Sequence, residues 1–529
     1  MSTTSLTADQ LLPEHKVNPW IIGVVVSVAA FMEVLDTSIA NVALPYIAGN
    51  LGASNDESTW VLTTYLVSNA IVLPISGFLV GWLGRKRFFI VCIALFTVSS
   101  FLCGIAPSLG LLLLFRVMQG AFGGGLQPMT QAILADTFPP EKHGLAFALY
   151  GVVVVCAPAI GPTLGGWITD NYSWRWIFYI NVPVGIVTAL LVHQLLEEPA
   201  YLSRVKKSLA KFDYIGFALL AIGVGALQIA LDKGQEDDWF GSHFITTLIV
   251  LTTVGLVSMV VWEWFHKEPI VDVRLFKNFN FASGNVMFFA LGIALLSPTV
   301  LLPQFLQTLM GYSAEKAGMV LSASAVLLLG IMPLVGRLTA RFQARHLLAF
   351  GWSTMALGMY ISCKHIDLLI NFRYASWLRI IQGLPIGFLI VPLTTVAYRG
   401  LPKEKNNAAA GLMNFARNIG MSVGTSAVTT LIARRSQYHQ SVLAQYTRSG
   451  HFDAAVASLA ARLTHVGLSG HAAHQQALAR MYGVVMAQAQ ALSYVDVYWL
   501  LAVTCVLMFL LSFVLAKNEP GAGGVAPVH

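Results

Sequence analysis

Apolar runs of about 20 residues, separated by short polar connections, recur along the chain from Trp20 to about Ala516. In helical form such a run crosses a hydrocarbon layer of ~30 Å at ~1.5 Å per residue. About fourteen runs of this kind are read, with centres from Ala30, Ile71 and Ala94 through to Gly387, Gly420 and Leu507. The fold class that follows is an all-α membrane protein. Of 529 residues, 56% are hydrophobic and only 11% are charged, more apolar surface than a soluble core requires.

The net charge of +7 does not point to nucleic acid, because the basic residues sit in short clusters between apolar runs. Arg85, Lys86, Arg87, Arg204, Lys267, Arg337, Arg399 and Lys517 all fall on alternate connections, whereas Gly49 to Ser58 and Pro107 to Gly110 carry no cation. Cationic loops stay in the cytoplasm, so both termini are expected there. The first 19 residues lack a short apolar segment followed by a small-residue cleavage site and read as a retained tail. Cys92, Cys103, Cys156, Cys363 and Cys505 fall within the apolar runs without CxxC spacing, which suggests neither a disulfide framework nor a zinc site.

Sliding the halves against each other exposes a repeat. Arg116, Gln119, Gly120 and Gly124 match Arg379, Gln382, Gly383 and Gly387 at a constant displacement of 263 positions, which continues through Pro139/Pro402, Glu141/Glu404, Lys142/Lys405 and Gly161/Gly424. Parallel repeats of six helices are a transporter architecture. The expected division is a tail at 1–19, a six-helix bundle at 20–196, a basic loop at 197–212, two inserted helices at 213–266, a second bundle at 281–516 with an outer loop at 434–493, and a tail at 517–529.

Two acids lie inside the first run, Glu33 and Asp36 in FMEVLDTSIANVALP. A carboxylate at bilayer depth costs ~2.5–3.5 kcal/mol on insertion scales, so such groups mark a functional site or a water-filled cavity. Their i, i+3 spacing places both on one helix face. Counting from the ends of the runs puts Glu33 ~20 Å and Asp36 ~24 Å above the inner boundary, with Arg116 ~10 Å below the outer one. The three groups share a depth, and which acid lies nearer the guanidinium stays open. A cation brought close lowers a carboxylate pKa and releases a proton; a static bridge between the first and fourth helices is the competing reading.

Beyond FMEVLDTSIANVALP, the stretches GFLVGWLGRKR, LFRVMQGAFGGG, APAIGPTLGG and WRWIFYINVPVG follow in order. Together they resemble the successive signatures of the major facilitator superfamily and, more narrowly, its fourteen-span drug:proton antiporters. The resemblance implies two six-helix bundles plus two inserted helices, in the bacterial inner membrane. It implies proton coupling at Glu33, Asp36 and Arg116, and a hinge or seal at Pro158, Gly161, Pro162, Gly165 and Gly166. It also implies a cytoplasmic loop motif at Gly77, Gly84, Arg85 and Lys86, although the family usually has Asp-Arg where this chain has Gly81-Trp82. No cofactor or metal is implied, the proton gradient being the energy source. Partners would be small amphipathic drugs, protons and the bilayer, with a periplasmic membrane-fusion adaptor and an outer-membrane channel completing a tripartite pump.

Chemistry alone leaves several positions open. Pro158 and Pro162 bend a helix while Gly161 and Gly165 form a small-xxx-small face, which fits generic packing as well as a hinge. Asn41, Tyr65, Phe122, Met129, Phe288, Met413 and Arg417 are candidates for an adaptable pocket, although such side chains often simply pack. Asp136 reads as a helix-end charge, and Arg379 as a cation able to reach the outer interface. His471 and His474 have metal-compatible spacing without a third ligand, and Asn171-Tyr172-Ser173 matches a glycosylation pattern only incidentally. The outer segment from Arg434 to Tyr494 has helix-favouring stretches too short to span. Absence of HExxH and paired CxxC argues against a membrane enzyme. An exporter of a fatty acid or siderophore, or a transporter-like sensor, would share the same motifs.

Overall fold

The computed structural model describes residues 18–198, 212–398, 401–447 and 450–515, so most of the N-terminal tail, the basic loop and the C-terminal tail lie outside the described residues. Among those described, every regular element is helical. The first bundle comprises α1 (Pro19–Leu51), α2 (Asn55–Leu83), α3 (Arg85–Ile105), α4 (Leu109–Gly123), α5 (Leu126–Thr137), α6 (His143–Asn171), α7 (Trp176–Tyr179) and α8 (Asn181–Leu195). The inserted pair is α9 (Tyr214–Lys233) and α10 (His243–Phe265). The second bundle comprises α11 (Phe279–Thr308), α12 (Ala314–Thr339), α13 (Ala344–His365), α14 (Phe372–Ala397), α15 (Asn406–Tyr446), α16 (Gly450–His465) and α17 (Gly470–Ser512).

Taking α4 with α5 and α7 with α8 as interrupted single rods, twelve rods are long and apolar enough to cross a bilayer. With the more polar α13 and α15, the rods among the described residues, inserted pair included, reach the fourteen read from sequence. The break between α4 and α5 falls at Gly123-Gly124-Gly125, where the chain runs against Asn69 and Cys92.

The 263-residue displacement is a structural repeat. Both α5 and α14 are followed by a short 3-10 turn, Pro140–Lys142 in one half and Lys403–Lys405 in the other, before α6 and α15 start at positions 143 and 406. Packing repeats as well: α1 lies on α6 as α11 lies on α15, α2 on α4 as α12 on α14, and α3 on α8 as α13 on α17. The halves join chiefly through α6 with α12 and α2 with α15, and one apolar core of buried side chains runs through both. Among the described residues α1 and α11 form no extensive packed pair. The inserted α9 and α10 pack on each other, and α9 lies against both α2 and α15.

The outer segment is not a separate lobe. α15 runs unbroken for 41 residues and α17 for 43, each ~60 Å at ~1.5 Å per residue and so twice the hydrocarbon thickness. Their protruding ends carry α16, which buries Val456 and Leu463 against Ala473 and Ala477 of α17.

Candidate functional site

Asp36 and Arg116 are fully buried and meet at 2.6 Å between Asp36 Oδ2 and Arg116 Nη1. The other Asp36 oxygen accepts from Gln119 Nε2 at 2.9 Å and Asn181 Nδ2 at 2.7 Å. Arg116 also donates through Nε to the Val61 carbonyl at 3.0 Å and through Nη1 to Gln119 Oε1 at 2.7 Å, and its guanidinium lies 4.3 Å from the Tyr65 ring centre. Every partner named belongs to the first bundle. A buried ion pair offsets its desolvation through further hydrogen bonds; Gln119 and Asn181 supply them to the carboxylate, while Arg116 Nη2 is buried without a partner at hydrogen-bond distance.

Glu33 lies three residues away in different surroundings. Its Oε1 accepts from Asn69 Nδ2 at 3.1 Å and from the Tyr65 hydroxyl at 3.4 Å, while Oε2 accepts from the Gln127 amide. Gln127 Oε1 in turn accepts from Arg417 Nη2 on α15 and from the Tyr150 hydroxyl at 3.0 Å. Tyr150 also receives Arg417 Nη1 at 3.2 Å, Asn414 donates to Gln131 at 2.8 Å, and Asn418 donates to Asn69 at 3.2 Å. The Glu33 network therefore crosses between bundles, whereas the Asp36 network does not. Asp36 is the acid nearer Arg116, the point the sequence left open.

The proline-rich stretch of α6 has a specific partner. Helical N–H(i)→O=C(i−4) bonding would pair the Pro158 carbonyl with the N–H of residue 162, which is a proline without one. Ser38 Oγ supplies the missing donor to the Pro158 carbonyl at 3.2 Å. Gly161 lies so close to Ser38 that any Cβ there would overlap its side chain, and Gly165 sits against Ile39. Gly166 faces open space and takes no part in this contact.

At the basic end, Gly77 approaches α15 closely enough that a Cβ would stand 2.7 Å from Ala408 Cα. Gly84 has φ +82, a left-handed conformation that favours glycine, and caps α2. Just beyond it, the backbone N–H groups of Arg85 and Lys86 donate to the Glu198 carboxylate at 2.7 and 2.9 Å, so an acid following α8 caps α3. The buried Arg85 side chain pairs with Asp136, whose other oxygen accepts from Asn406 Nδ2 at 3.1 Å. Asp136 is thus a link between α3, α5 and α15 rather than a free helix end. With Gly81-Trp82 in the loop motif, Asp136 and Glu198 are the acids that engage it.

Among the pocket candidates, Tyr65, Met129, Phe288, Met413 and Arg417 are buried between helices, Phe122 is half-buried against the core, and Asn41 is exposed. Arg379 does not reach outward: it is buried and donates to Thr299 Oγ1 at 2.8 Å. The neutral partners Asn69, Gln119, Gln127, Tyr150, Asn181 and Asn414 were missed in sequence; Gln119 alone was signalled, through the repeat. No three-residue metal-binding group of His, Cys, Asp or Glu occurs among the described residues.

The sequence profile of the Major Facilitator Superfamily matches residues 26–425. Over 506 residues the chain is 37% identical to multidrug export protein EmrB of Escherichia coli K12, covering 95% of this chain and 96% of that one. It is 39% identical to fatty acid resistance protein FarB of Neisseria gonorrhoeae over 443 residues, 83% of this chain and 86% of that one. The proton:xylose symporter XylE superposes with a TM-score of 0.61 at 13% identity, covering 95% and 97% of the two chains, which shows the shared fold. The chain, a multi-pass inner-membrane transporter of EmrB type and not an enzyme, belongs to the major facilitator superfamily.

Proposed function

We propose that the protein is a proton-driven exporter of amphipathic and hydrophobic toxic compounds, a drug:proton antiporter that works by alternating access between its two bundles. The observation that carries the proposal is the path from Glu33 through Gln127 to Arg417. A charged Glu33 holds the Gln127 amide as donor and leaves its oxygen for the guanidinium of the opposite bundle. A protonated Glu33 no longer balances that guanidinium, so the link between bundles weakens. Asp36, saturated within its own bundle, serves as the fixed counter-charge of Arg116. Protonation from outside gains ~2.3 kcal/mol per 100 mV of membrane potential, enough to bias which face opens.

In this reading the basic end faces the cytoplasm. The Gly77–Ala408 approach and the Arg85–Asp136–Asn406 link close that face, so the conformation is outward-facing. The protruding ends of α15 and α17 with α16 would meet a periplasmic adaptor that passes substrate to an outer-membrane channel. The similarity to FarB supports a second reading, export of an endogenous or environmental fatty acid by the same mechanism.

The test is proton release from acidified everted vesicles on addition of lipophilic drugs and of fatty acids, for the native chain, Glu33→Gln and Asp36→Asn. Substrate-triggered release that Glu33→Gln abolishes supports antiport. Absence of release with every compound overturns antiport in favour of a sensor.

A further inference from the structure

The repeat places a second arginine, Arg379 on α14, at the position of Arg116, and Gln382 at that of Gln119. In the first bundle the guanidinium is neutralised by Asp36 on α1. In the second bundle the counterpart helix α11 has no acidic residue along its whole length, and neither do α13, α14 or α15. α12 has Glu315 alone, in its first turn, and α17 has Asp496 alone, held by Arg435 at 2.6 Å and His439 at 2.7 Å. Arg417 reaches the charge of Glu33 through Gln127. Arg379 is left with the neutral Thr299 hydroxyl.

The surroundings of Arg379 are correspondingly unfinished. Arg379 Nε, Gln382 Oε1 and the Tyr498 hydroxyl are all buried without a partner at hydrogen-bond distance, although Gln382 Nε2 is anchored on Ser362 at 2.8 Å. Tyr498 lies near Gln382 and within electrostatic reach of the guanidinium. Arg379 as a whole residue retains 7% exposure, against 0% for Arg116. A buried cation persists when something completes its hydrogen bonds and charge, and a guanidinium is best completed by two oxygens of an anion.

We propose that Arg379, positioned by Thr299 and flanked by the Tyr498 hydroxyl, is a subsite for the carboxylate head of an amphipathic anion such as a long-chain fatty acid. The substrate supplies the counter-charge that Asp36 supplies in the first bundle. Tyr498 turns its hydroxyl donor to the head group, while the hydrocarbon tail lies along the apolar faces of the second bundle. A phospholipid head offers a similar anion, but the ligand of this subsite is the free carboxylate. This subsite rests on the export reading and narrows its substrate class.

The test uses the purified full chain in phosphatidylcholine nanodiscs, titrated with dodecanoate, its methyl ester, tetraphenylphosphonium and phosphatidylglycerol. The native chain is expected to bind dodecanoate at least ~10-fold more tightly than the ester, with Arg379→Gln removing the preference and Arg379→Lys keeping part of it. Tetraphenylphosphonium binding should be unchanged in both variants, which also reports that they are folded. Equal native affinity for acid and ester overturns the subsite, and so does a preference that survives Arg379→Gln. Phosphatidylglycerol that competes with dodecanoate at equal affinity assigns the site to a lipid head and overturns the substrate. If the native chain neither binds nor exports tetraphenylphosphonium or any drug tested, the export reading fails; if it does both and ignores Arg379, only the subsite fails.

Discussion

Glu33 and Arg417, on opposite bundles, are joined through the single side chain of Gln127, whose amide nitrogen faces the carboxylate and whose oxygen faces the guanidinium. An amide can serve both at once only in this orientation. Under the proposed antiport, this is the route by which protonation at Glu33 would reach Arg417 without direct contact between them.

Gln127→Leu should break the relay while leaving both charges in place. The expected outcome is at least ~10-fold slower substrate-driven proton release in everted vesicles, with substrate binding retained. Glu33→Gln should instead allow substrate binding that no longer depends on pH. Unaltered release in Gln127→Leu would remove the relay from the mechanism.

Asp36→Asn leaves Arg116 buried without a counter-charge, and Arg116→Gln does the converse. Each should cost ~3–5 kcal/mol of stability, and the double variant should lose less than the sum because neither charge is then stranded. Fluorescence-monitored unfolding of the three variants in detergent measures the coupling directly. Additive losses would mean that the two groups do not stabilise each other.

Ser38 satisfies a carbonyl that Pro162 leaves without its helical donor. Ser38→Ala should cost ~1–3 kcal/mol, the range for a stranded buried polar group. Gly161→Ala should abolish transport by forcing α1 away from α6, and Ser38→Gly should partly restore it by clearing the space. Restoration by Ser38→Gly separates a steric fault from a requirement for glycine flexibility.

Asp136→Ala releases Arg85 and Asn406 together. A cysteine at Ser76, buried beside Gly411 of α15, should resist maleimide in an otherwise cysteine-free background and become reactive once Asp136 is removed. Unchanged labelling would show that the glycine-mediated approach of α2 and α15 keeps this end shut alone.

The rods and their repeat are legible because hydrocarbon admits few alternatives: a run of ~20 apolar residues has essentially one fold there. For the same reason Glu33, Asp36 and Arg116 stand out, since charge in hydrocarbon is too costly to be incidental. Gln127, Asn181 and Tyr150 carry no such signal, because a neutral amide or phenol at that depth satisfies itself on many neighbours. Asp136 was misleading for the opposite reason: an acid at a helix end is ordinary, and only the packing of α15 reveals what it holds. The backbone debt between Pro158 and Pro162 was legible, but not that Ser38, on another helix, meets it.

The length of α15 gives the relay a mechanical reach. Arg417 lies 29 residues from Tyr446 on one unbroken helix, ~44 Å at ~1.5 Å per residue. If the second bundle tilts by ~10° about the level of that guanidinium, the far tip sweeps ~8 Å, more than the width of a side chain. Under the proposed coupling the rod is the needle of a gauge pivoted at Arg417, and anything gripping the tip would register, through one rigid body, whether a carboxylate on the neighbouring bundle holds a proton.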